Sequence, residues 1–313
     1  MLYLVELYMS ANSKNTYSTD LLSWLLLFVL SLIWGSSFIL IKKSLLAFSP
    51  GQVGAGRVAI AFIAYVPLFI YFFRQIDWRK LGPMFIVGLC GSGLPAYLYA
   101  KAQTEVPSAI AGLLNGLTPI FTFILAVLLF GRKLESRHLF GILLGFIGTS
   151  LIFLSKHDGQ SSFPILFGMM IMLATFFYAI SANTVSTYLR EVNPIVISTM
   201  SFILIGPWMI IYLANTDFFS IISKHEDGLL SLSALTILSL VGTFSANILF
   251  FKLIQMTDSV FASSVSFLTP VVALLWGLWD GETFSYTFFF ALMLIFYSVF
   301  LIKARSTQSK GDK

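Results

Sequence analysis

The same sequence pattern occurs twice in this chain, each time inside a long apolar stretch. Residues 98–119 (LYAKAQTEVPSAIAGLLNGLTP) align without a gap with residues 249–270 (LFFKLIQMTDSVFASSVSFLTP) at an offset of 151 residues, and seven of the 22 positions are identical. The identical pairs are Leu98/Leu249, Lys101/Lys252, Ser108/Ser259, Ala111/Ala262, Leu117/Leu268, Thr118/Thr269 and Pro119/Pro270. Internal symmetry inside apolar segments is typical of transporters built from repeats. The pattern therefore predicts a repeat whose unit is a set of membrane helices.

The composition indicates that the lipid bilayer is the natural solvent of this chain. Hydrophobic residues make up 58% of it and charged residues 11%, whereas soluble domains carry about 25% charged residues. The net charge of +5 comes from basic residues spread singly at the ends of apolar runs, a distribution that orients membrane helices and forms no nucleic-acid-binding stripe. The single cysteine, Cys90, excludes an intramolecular disulfide framework, and its apolar surroundings favour a small buried side chain.

Ten stretches are apolar over about the 20 residues that a spanning helix needs. They cover residues 21–41, 50–73, 81–100, 107–130, 137–155, 162–186, 194–215, 229–251, 259–279 and 284–302. Pro119 lies in the fourth stretch and Pro270 in the ninth, so the repeats are shifted by five spans, an odd number that reverses direction across the membrane. We therefore predict an all-α integral membrane protein with ten transmembrane helices arranged as two inverted five-helix repeats.

Counting Lys and Arg in alternate loops places 13 on one side of the membrane and 5 on the other. By the positive-inside rule, both termini are expected in the cytoplasm. The expected organisation is a cytoplasmic tail (1–20), a first repeat (21–155), a second repeat (162–303) and a second cytoplasmic tail (304–313). Whether translation starts at Met1 or Met9 is left open.

Pro119 and Pro270 are the first candidates for function. Pro119 lies about 16 Å along its helix from Ser108 at 1.5 Å per residue, near the middle of a hydrocarbon core about 30 Å thick. Each proline frees the backbone carbonyl four residues earlier, and these carbonyls belong to the repeat partners Asn115 and Ser266. We expect a helix kink in each half that faces the substrate; the alternative is a gentle bend whose polar side chain satisfies local backbone.

Further candidates are polar or aromatic side chains at membrane depth, where unsatisfied polar groups are costly and should face the interior of the bundle. Those singled out as substrate-binding candidates are Trp34, Ser37, Tyr99, Tyr178 and Asn247. Each of these side chains has a structural alternative: the hydroxyls and amides can join neighbouring helices, and Trp34 can simply fill space.

Arg57 is the charged residue predicted inside a helix, about 10 Å along it from Pro50. It could balance a substrate carboxylate, or its long side chain could extend to the outer surface, which is the interpretation favoured from sequence. Gly141, Gly145 and Gly148 form a small-residue face that predicts close packing against another helix.

The acidic residues and histidines all fall in predicted loops, tails or helix ends, so no proton relay is expected at mid-depth. A facilitator or an exchanger therefore fits better than a proton-coupled carrier. Catalytic motifs such as HExxH, GxSxG and the P-loop are absent from the sequence, and metal ligands do not cluster. We expect no enzyme, no cofactor and no metal.

Three sequence features together resemble the EamA family of the drug/metabolite transporter superfamily. They are the first-helix stretch WGSSFILIKKSL (34–45), the second-helix stretch GRVAIAF (56–62), and the paired segments that end at Pro119 and Pro270, the latter followed by the Gly281-Glu282 turn. The resemblance covers residues 21–303. Two departures concern helix ends: Gly131-Arg132 stands where the family usually has Gly-Glu, and residues 284–302 lack the glycines of the fifth helix.

This resemblance implies a ten-helix inverted-repeat carrier in the cytoplasmic membrane that exports amino acids, related metabolites or drugs without hydrolysing ATP. It also implies a cavity lined by helices one, three, four, six, eight and nine. We therefore expect a secondary transporter, an exporter of small metabolites such as amino acids, that works by alternating access. The alternative is a membrane scaffold or sensor that keeps the carrier fold without transport. The expected partners are a small-molecule substrate and lipid, with a homodimer left open.

Overall fold

The computed structural model describes residues 16–132, 136–154, 164–279 and 286–303. Its secondary structure over these residues is helical, without a strand. The principal helices are α1 (Thr16–Ser44), α2 (Pro50–Phe72), α3 (Leu81–Gly88, Leu89–Gly93 and Leu94–Ala102), α4 (Ser108–Asn115 and Thr118–Leu128), α5 (Ser136–Leu154), α6 (Ile165–Tyr188), α7 (Pro194–Ala214), α8 (Gly228–Ser239, Leu240–Ser245 and Ala246–Met256), α9 (Ser259–Ser263 and Val265–Trp279) and α10 (Tyr286–Lys303). The Met1 and Met9 starts, the tail 304–313 and the Gly281-Glu282 turn lie outside the described residues.

The predicted all-α membrane fold is confirmed, whereas the count of ten crossings is not. Each of the ten predicted stretches coincides with one of these helices, continuous or interrupted. Seven spans within the described ranges are long and apolar enough to cross a membrane; they are Asp20–Ser44, Pro50–Gln75, Trp78–Ala102, Ile110–Leu128, Ile165–Tyr188, Pro194–Ala214 and Gly228–Met256. The apolar helices Ser259–Val272 and Phe289–Lys303 are shorter than that criterion requires.

Local sequence explains where several helices begin. Ser49 caps α2 in a reciprocal box with Gln52, and Pro50 occupies the first turn, where its missing N–H is not needed. Asn193 accepts a hydrogen bond from the Ile195 amide at 2.9 Å at the start of α7, again followed by proline. These polar-residue-plus-proline pairs satisfy orphan amides at helix starts and leave the apolar length of the helix intact.

The helices pack in pairs that recur when the two halves are exchanged. Helix α5 packs on α10 and α2 packs on α7; the contact of α3 with α6 is matched by that of α8 with α1, and the contact of α4 with α6 by that of α9 with α1. Such pairing is what a pseudo-two-fold relation between two five-helix units requires. The two-repeat architecture is therefore seen in the packing as well as in the sequence, and the central helices of each half contact those of the other.

The glycine face of α5 is a packing surface, as predicted. A Cβ added at Gly145 would lie 2.5 Å from the Phe267 ring and 2.5 Å from Ser298 Oγ, and one added at Gly141 would lie 2.8 Å from Ile302 Cγ1. The absence of side chains lets α10 approach the α5 backbone closely, in the way small residues act in membrane helix pairs.

The outer surface is apolar. Leu21, Ile70, Leu128 and Ile165 are each more than 70% exposed, and large hydrophobic side chains are exposed along most of the spans. A water-soluble monomer of this size rarely presents so much contiguous apolar surface. The fold therefore has a lipid-facing exterior and collects its buried polar groups inside the bundle.

Both halves contain a π-helical interruption at the same repeat position. Leu89–Gly93 in α3 and Leu240–Ser245 in α8 are π-helical, and both begin at positions related by the offset of 151 residues. A π-turn inserts one extra residue and disturbs the regular backbone pairing, and it occurs frequently at functional sites. The apolar pattern of the sequence did not predict these interruptions.

Candidate functional site

A cavity of about 90 Å³ lies between the two halves, which is room for several waters, since one water needs about 10–15 Å³. It is lined by residues of the six helices that the family resemblance implied and also by α2. The structure brings all eight substrate-binding candidates to its wall: Trp34, Ser37, Arg57, Tyr99, Asn115, Tyr178, Asn247 and Ser266. The two prolines do not line it. The sequence candidates therefore converge on one place, although their contact with substrate stays a prediction.

Arg57 points into this cavity, so the favoured interpretation that it extends to the outer surface is wrong. Its Nε donates to Thr243 Oγ1 at 2.6 Å, and its Nη2 lies 3.5 Å from the Gly242 carbonyl oxygen. Both partners belong to the π-helical segment of α8, which packs against α2. The guanidinium is held inward because α8 offers it two neutral acceptors.

Trp34 closes the same side of the cavity. Its indole Nε1 donates to the Gly242 carbonyl at 3.0 Å, and its ring meets the Phe250 ring edge to face at a centroid distance of 5.0 Å. This contact fixes the orientation of the indole, because an edge-to-face pair and a hydrogen bond act on the same ring. Trp34 therefore forms a rigid aromatic wall and also ties α1 to α8.

Another part of the cavity wall is built on Tyr99 and Tyr178. Their rings stack at a centroid distance of 6.0 Å, and the Tyr99 hydroxyl donates to Asn115 Oδ1 at 2.8 Å. Asn247 is likewise bonded, its Nδ2 donating to Ser92 Oγ at 3.2 Å. Each of the two asparagines uses part of its hydrogen-bonding capacity within the protein. Because both side chains line the cavity, the rest of that capacity faces the cavity.

The carbonyls freed by the two prolines are not unpaired, which corrects the sequence prediction. Thr118 donates its hydroxyl to the Asn115 carbonyl at 2.8 Å, and its repeat partner Thr269 donates to the Ser266 carbonyl at 3.0 Å. In both halves the threonine directly before the proline replaces the missing backbone donor. The alternative in which a polar side chain satisfies the local backbone therefore applies, and that side chain is the threonine.

The helix interruptions lie a few residues before the prolines. Helix α4 breaks at Gly116 and Leu117, so Pro119 belongs to the first turn of its second segment. Helix α9 breaks at Ser264, so Pro270 lies inside its second segment. A proline is well tolerated in a first turn because the backbone N–H groups there have no carbonyl acceptor within the helix. The predicted kinks exist as breaks in both helices, displaced toward the start of each helix.

Below the cavity, a buried hydrogen-bonded layer joins three helices; we call it the Asn183 layer and define it as Asn183, Thr122 and Ser259. Asn183 Nδ2 donates to the Thr122 carbonyl at 2.9 Å, and Ser259 Oγ donates to Asn183 Oδ1 at 2.8 Å. None of the three side chains is more than 1% exposed. The layer links α4 of the first half to α6 and α9 of the second.

Ser108, the repeat partner of Ser259, takes part in a second set of contacts, which involves α1 in place of α6. Gln103 Nε2 donates to Ser108 Oγ and to the Phe38 carbonyl, both at 3.2 Å. Because α1 and α6 are equivalent helices of the two halves, Ser108 and Ser259 each anchor the first turn of α4 or α9 to the first helix of a repeat. Ser108 reaches α1 through the Gln103 amide, whereas Ser259 bonds Asn183 of α6 directly.

Beyond the Asn183 layer lies a second cavity of about 480 Å³, which we call the vestibule. Five charged residues are among those that line it: Asp20, Arg132, Arg190, Asp258 and Lys303. Lys303 Nζ lies 3.6 Å from Asp20 Oδ1, and Asp258 caps α9 by accepting from the Val260 and Phe261 amides. The vestibule is a charged cavity at the end of the bundle where the basic side of the membrane was predicted.

Sequence reasoning missed several residues of this site. Ser92 and Thr243 are repeat-equivalent positions inside the two π-helical segments and contact Asn247 and Arg57; extending the repeat alignment toward the N-terminus would have singled them out. Asn183 is a polar residue inside the sixth apolar stretch, but nothing in the sequence identified its partners. Among the described residues, no group of three or more His, Cys, Asp or Glu could hold a metal ion.

Comparison with known proteins relates the sequence to a transporter family. The sequence profile of the EamA-like transporter family matches residues 21–154 and again 166–304. An uncharacterized transporter of Archaeoglobus fulgidus is 24% identical over 255 residues, which cover 81% of this chain and 88% of the relative. The uncharacterized inner membrane transporter YedA of Escherichia coli K12 is 27% identical over 285 residues, 88% of this chain and 89% of YedA.

The fold has also been seen in a solved structure. A protein of known crystal structure superposes with a TM-score of 0.65 over 89% of this chain and 95% of its own length, at 18% sequence identity. At that identity the likeness concerns the fold alone.

Proposed function

The chain belongs to the EamA-like transporter family and is a multi-pass membrane transporter; from this premise we propose that it is a secondary carrier that exports small organic metabolites, amino acids among them, by alternating access. The observation that carries the proposal is the cavity between the halves, separated from the vestibule by the Asn183 layer. A site enclosed between two symmetry-related units is what an alternating-access carrier uses, because rocking of one unit exposes the site to each side in turn.

The proposed mode is facilitated transport or exchange. Among the described residues that line the cavity there is no Asp, Glu or His, whereas proton-coupled carriers place such groups inside the membrane. Both termini are proposed to be cytoplasmic, with the vestibule on that side, since the loops and ends that form it carry the excess of Lys and Arg.

Counterflow in proteoliposomes tests the proposal. The purified full-length protein is reconstituted with unlabelled amino acids or related metabolites inside, and uptake of the labelled compound is followed. We expect transient accumulation with at least one member of the panel and its loss in the double variant Asn115→Ala/Ser266→Ala. Asn215→Ala/Ser233→Ala is the matched control, because in the described part of the chain these two exposed side chains bond carbonyls of their own helices.

A cellular assay tests the direction. Cells that overexpress the protein should tolerate a toxic amino-acid analogue better than cells with the Asn115→Ala/Ser266→Ala variant at equal abundance. Counterflow without a gain in tolerance across a broad panel would contradict export. Absence of both would favour the scaffold or sensor.

A further inference from the structure

We propose that the substrate carries a carboxylate group and that Arg57 is the residue that binds it. This inference rests on the proposed transport function and adds the chemical class of the substrate. It starts from the charge of the cavity wall: among the described residues that line the cavity, Arg57 is the one charged side chain, and its charge is positive.

The described part of the chain offers this charge no carboxylate partner. Arg57 forms no ion pair with any described Asp or Glu, and its hydrogen bonds within the described residues go to the Thr243 hydroxyl and the Gly242 carbonyl. Neutral acceptors hold a guanidinium in place but do not cancel its charge. A buried charge without a counter-charge is unfavourable by several kcal/mol, so a complementary anion would stabilise this site strongly.

The geometry of the guanidinium suits a carboxylate. Arginine has five N–H groups in a planar fork, and the two protein contacts use one on Nε and one on Nη2. The remaining donors, two on Nη1 and one on Nη2, form the end of the fork that pairs with a carboxylate through two parallel hydrogen bonds. The contacts with α8 thus use the Nε edge of the guanidinium and leave the N–H groups at its distal end available to a ligand.

The rest of the cavity limits what else the substrate can carry. One positive charge compensates one negative charge, so a dicarboxylate or a phosphate dianion would leave charge unpaired in a buried site. Trp34, Phe250 and the Tyr99–Tyr178 stack supply flat apolar walls, and the volume is about 90 Å³. The site therefore fits a small monocarboxylate with an apolar or aromatic body; an amino acid fits when its ammonium group uses the neutral Asn247 side chain or a ring face.

A structural role for Arg57 would not need its charge. Of its two contacts with α8, the Nε hydrogen bond to Thr243 Oγ1 is one that a neutral glutamine amide can also donate, because the glutamine Nε2 lies at the same distance along the side chain. A charge placed where a neutral donor would suffice indicates that the charge itself is used. Removal of the charge should therefore spare the fold while it removes anion binding.

Ligand-induced thermal stabilisation of the detergent-purified full-length protein tests the inference, because a ligand that binds the folded state raises its Tm. The probes are matched pairs that differ in the negative charge: benzoate against benzamide, acetate against acetamide, and L-phenylalanine against L-phenylalaninamide, with inorganic phosphate as a separate anion. In the wild type, we expect at least one carboxylate to raise Tm clearly more than its amide. This comparison needs no variant.

Variants of Arg57 then test whether this residue causes the difference in Tm between carboxylates and amides. Arg57→Gln should retain or raise the ligand-free Tm and weaken carboxylate binding by about tenfold or more, as expected for loss of hydrogen bonds to a charged group. Arg57→Lys should bind with intermediate affinity, because lysine keeps the charge but not the fork. Arg79→Gln is the matched control, an exposed arginine outside the cavity, and should respond as the wild type does.

The outcomes separate this inference from the proposed function. Equal shifts with carboxylates and amides, including no shift with any pair, would overturn the inference, as would a larger shift with inorganic phosphate or an undiminished response of Arg57→Gln. Counterflow of uncharged solutes would then still support transport. Conversely, Arg57-dependent carboxylate binding without counterflow would support the carboxylate site and contradict transport.

Discussion

Ser259 donates a hydrogen bond of 2.8 Å to Asn183 Oδ1, and this contact joins α9 to α6 directly between the central cavity and the vestibule. Asn183 also holds the Thr122 carbonyl of α4. One buried amide therefore bonds helices from both halves. In the proposed alternating-access cycle, these contacts break when the cavity opens to the vestibule.

Asn183→Ala should shift the protein toward the conformation in which the vestibule communicates with the cavity. Asn183→Ala removes two interhelical hydrogen bonds, to Ser259 and to the Thr122 carbonyl, and loss of each, at about 1 kcal/mol, corresponds to about a fivefold shift in population. The measurement is the labelling rate of Ser181→Cys, a substitution at the wall of the central cavity, in a Cys90→Ala background, by a small thiol reagent that does not cross the membrane.

Asn215→Ala is the control for that experiment, since this exposed amide bonds only its own helix. The pair Asn183→Ala and Ser259→Ala should be non-additive in a double-mutant cycle, because the two residues share one hydrogen bond. Strictly additive effects, or unchanged labelling in Asn183→Ala, would show that the layer is not the barrier.

Thr269→Val should lower the Tm because the Ser266 carbonyl then has neither the threonine hydroxyl nor a backbone donor. An unsatisfied buried acceptor costs about 1–3 kcal/mol. Thr269→Ser keeps the hydroxyl and should behave as the wild type. The double variant Thr269→Val/Pro270→Ala restores an N–H four residues after Ser266 and should recover most of the loss. Failure of Pro270→Ala to rescue would mean that the hydroxyl does not replace the proline's missing donor.

Gly145→Ala should destabilise the packing of α5 against α9 and α10, since the new Cβ would lie 2.5 Å from the Phe267 ring of α9 and from Ser298 Oγ of α10. Overpacking of this kind costs about 1–3 kcal/mol, measured as a lower Tm in detergent. Gly82→Ala is the matched control, because its Cβ would meet nothing within 4 Å and alanine is the better helix former. Equal effects of the two substitutions would refute close packing as the reason for glycine at 145.

Membrane orientation can be measured at two exposed basic positions. In intact cells, Lys224→Cys should react with an impermeant thiol reagent from outside, whereas Arg190→Cys, at the vestibule, should react only after the membrane is permeabilised. Both variants are made in the Cys90→Ala background so that each protein carries one thiol. Reaction of Arg190→Cys from outside would reverse the proposed orientation, and equal access of both would contradict the placement of these loops on opposite faces.

Much of the fold follows from patterns that are local in the sequence. Apolar length identifies the helices, and pairs such as Asn193-Pro194 mark their starts. Alignment of the two halves singles out Asn115 and Ser266 as equivalent positions, and both line the cavity. These inferences work because helix length and helix starts depend on neighbouring residues, and because equivalent halves place equivalent residues at the same depth.

Tertiary packing decides which way a polar side chain points and which residues it contacts. Sequence alone allowed Arg57 either to face a substrate carboxylate or to extend to the outer surface; the packing of α8 against α2 turns it toward Thr243. Asn183 has no sequence signal for its two partners, which are 61 and 76 residues away. The periodicity of a chain determines which stretches become helices and how deep each residue lies in the membrane. Only the packed bundle decides what a polar side chain faces, because that depends on which helix covers it.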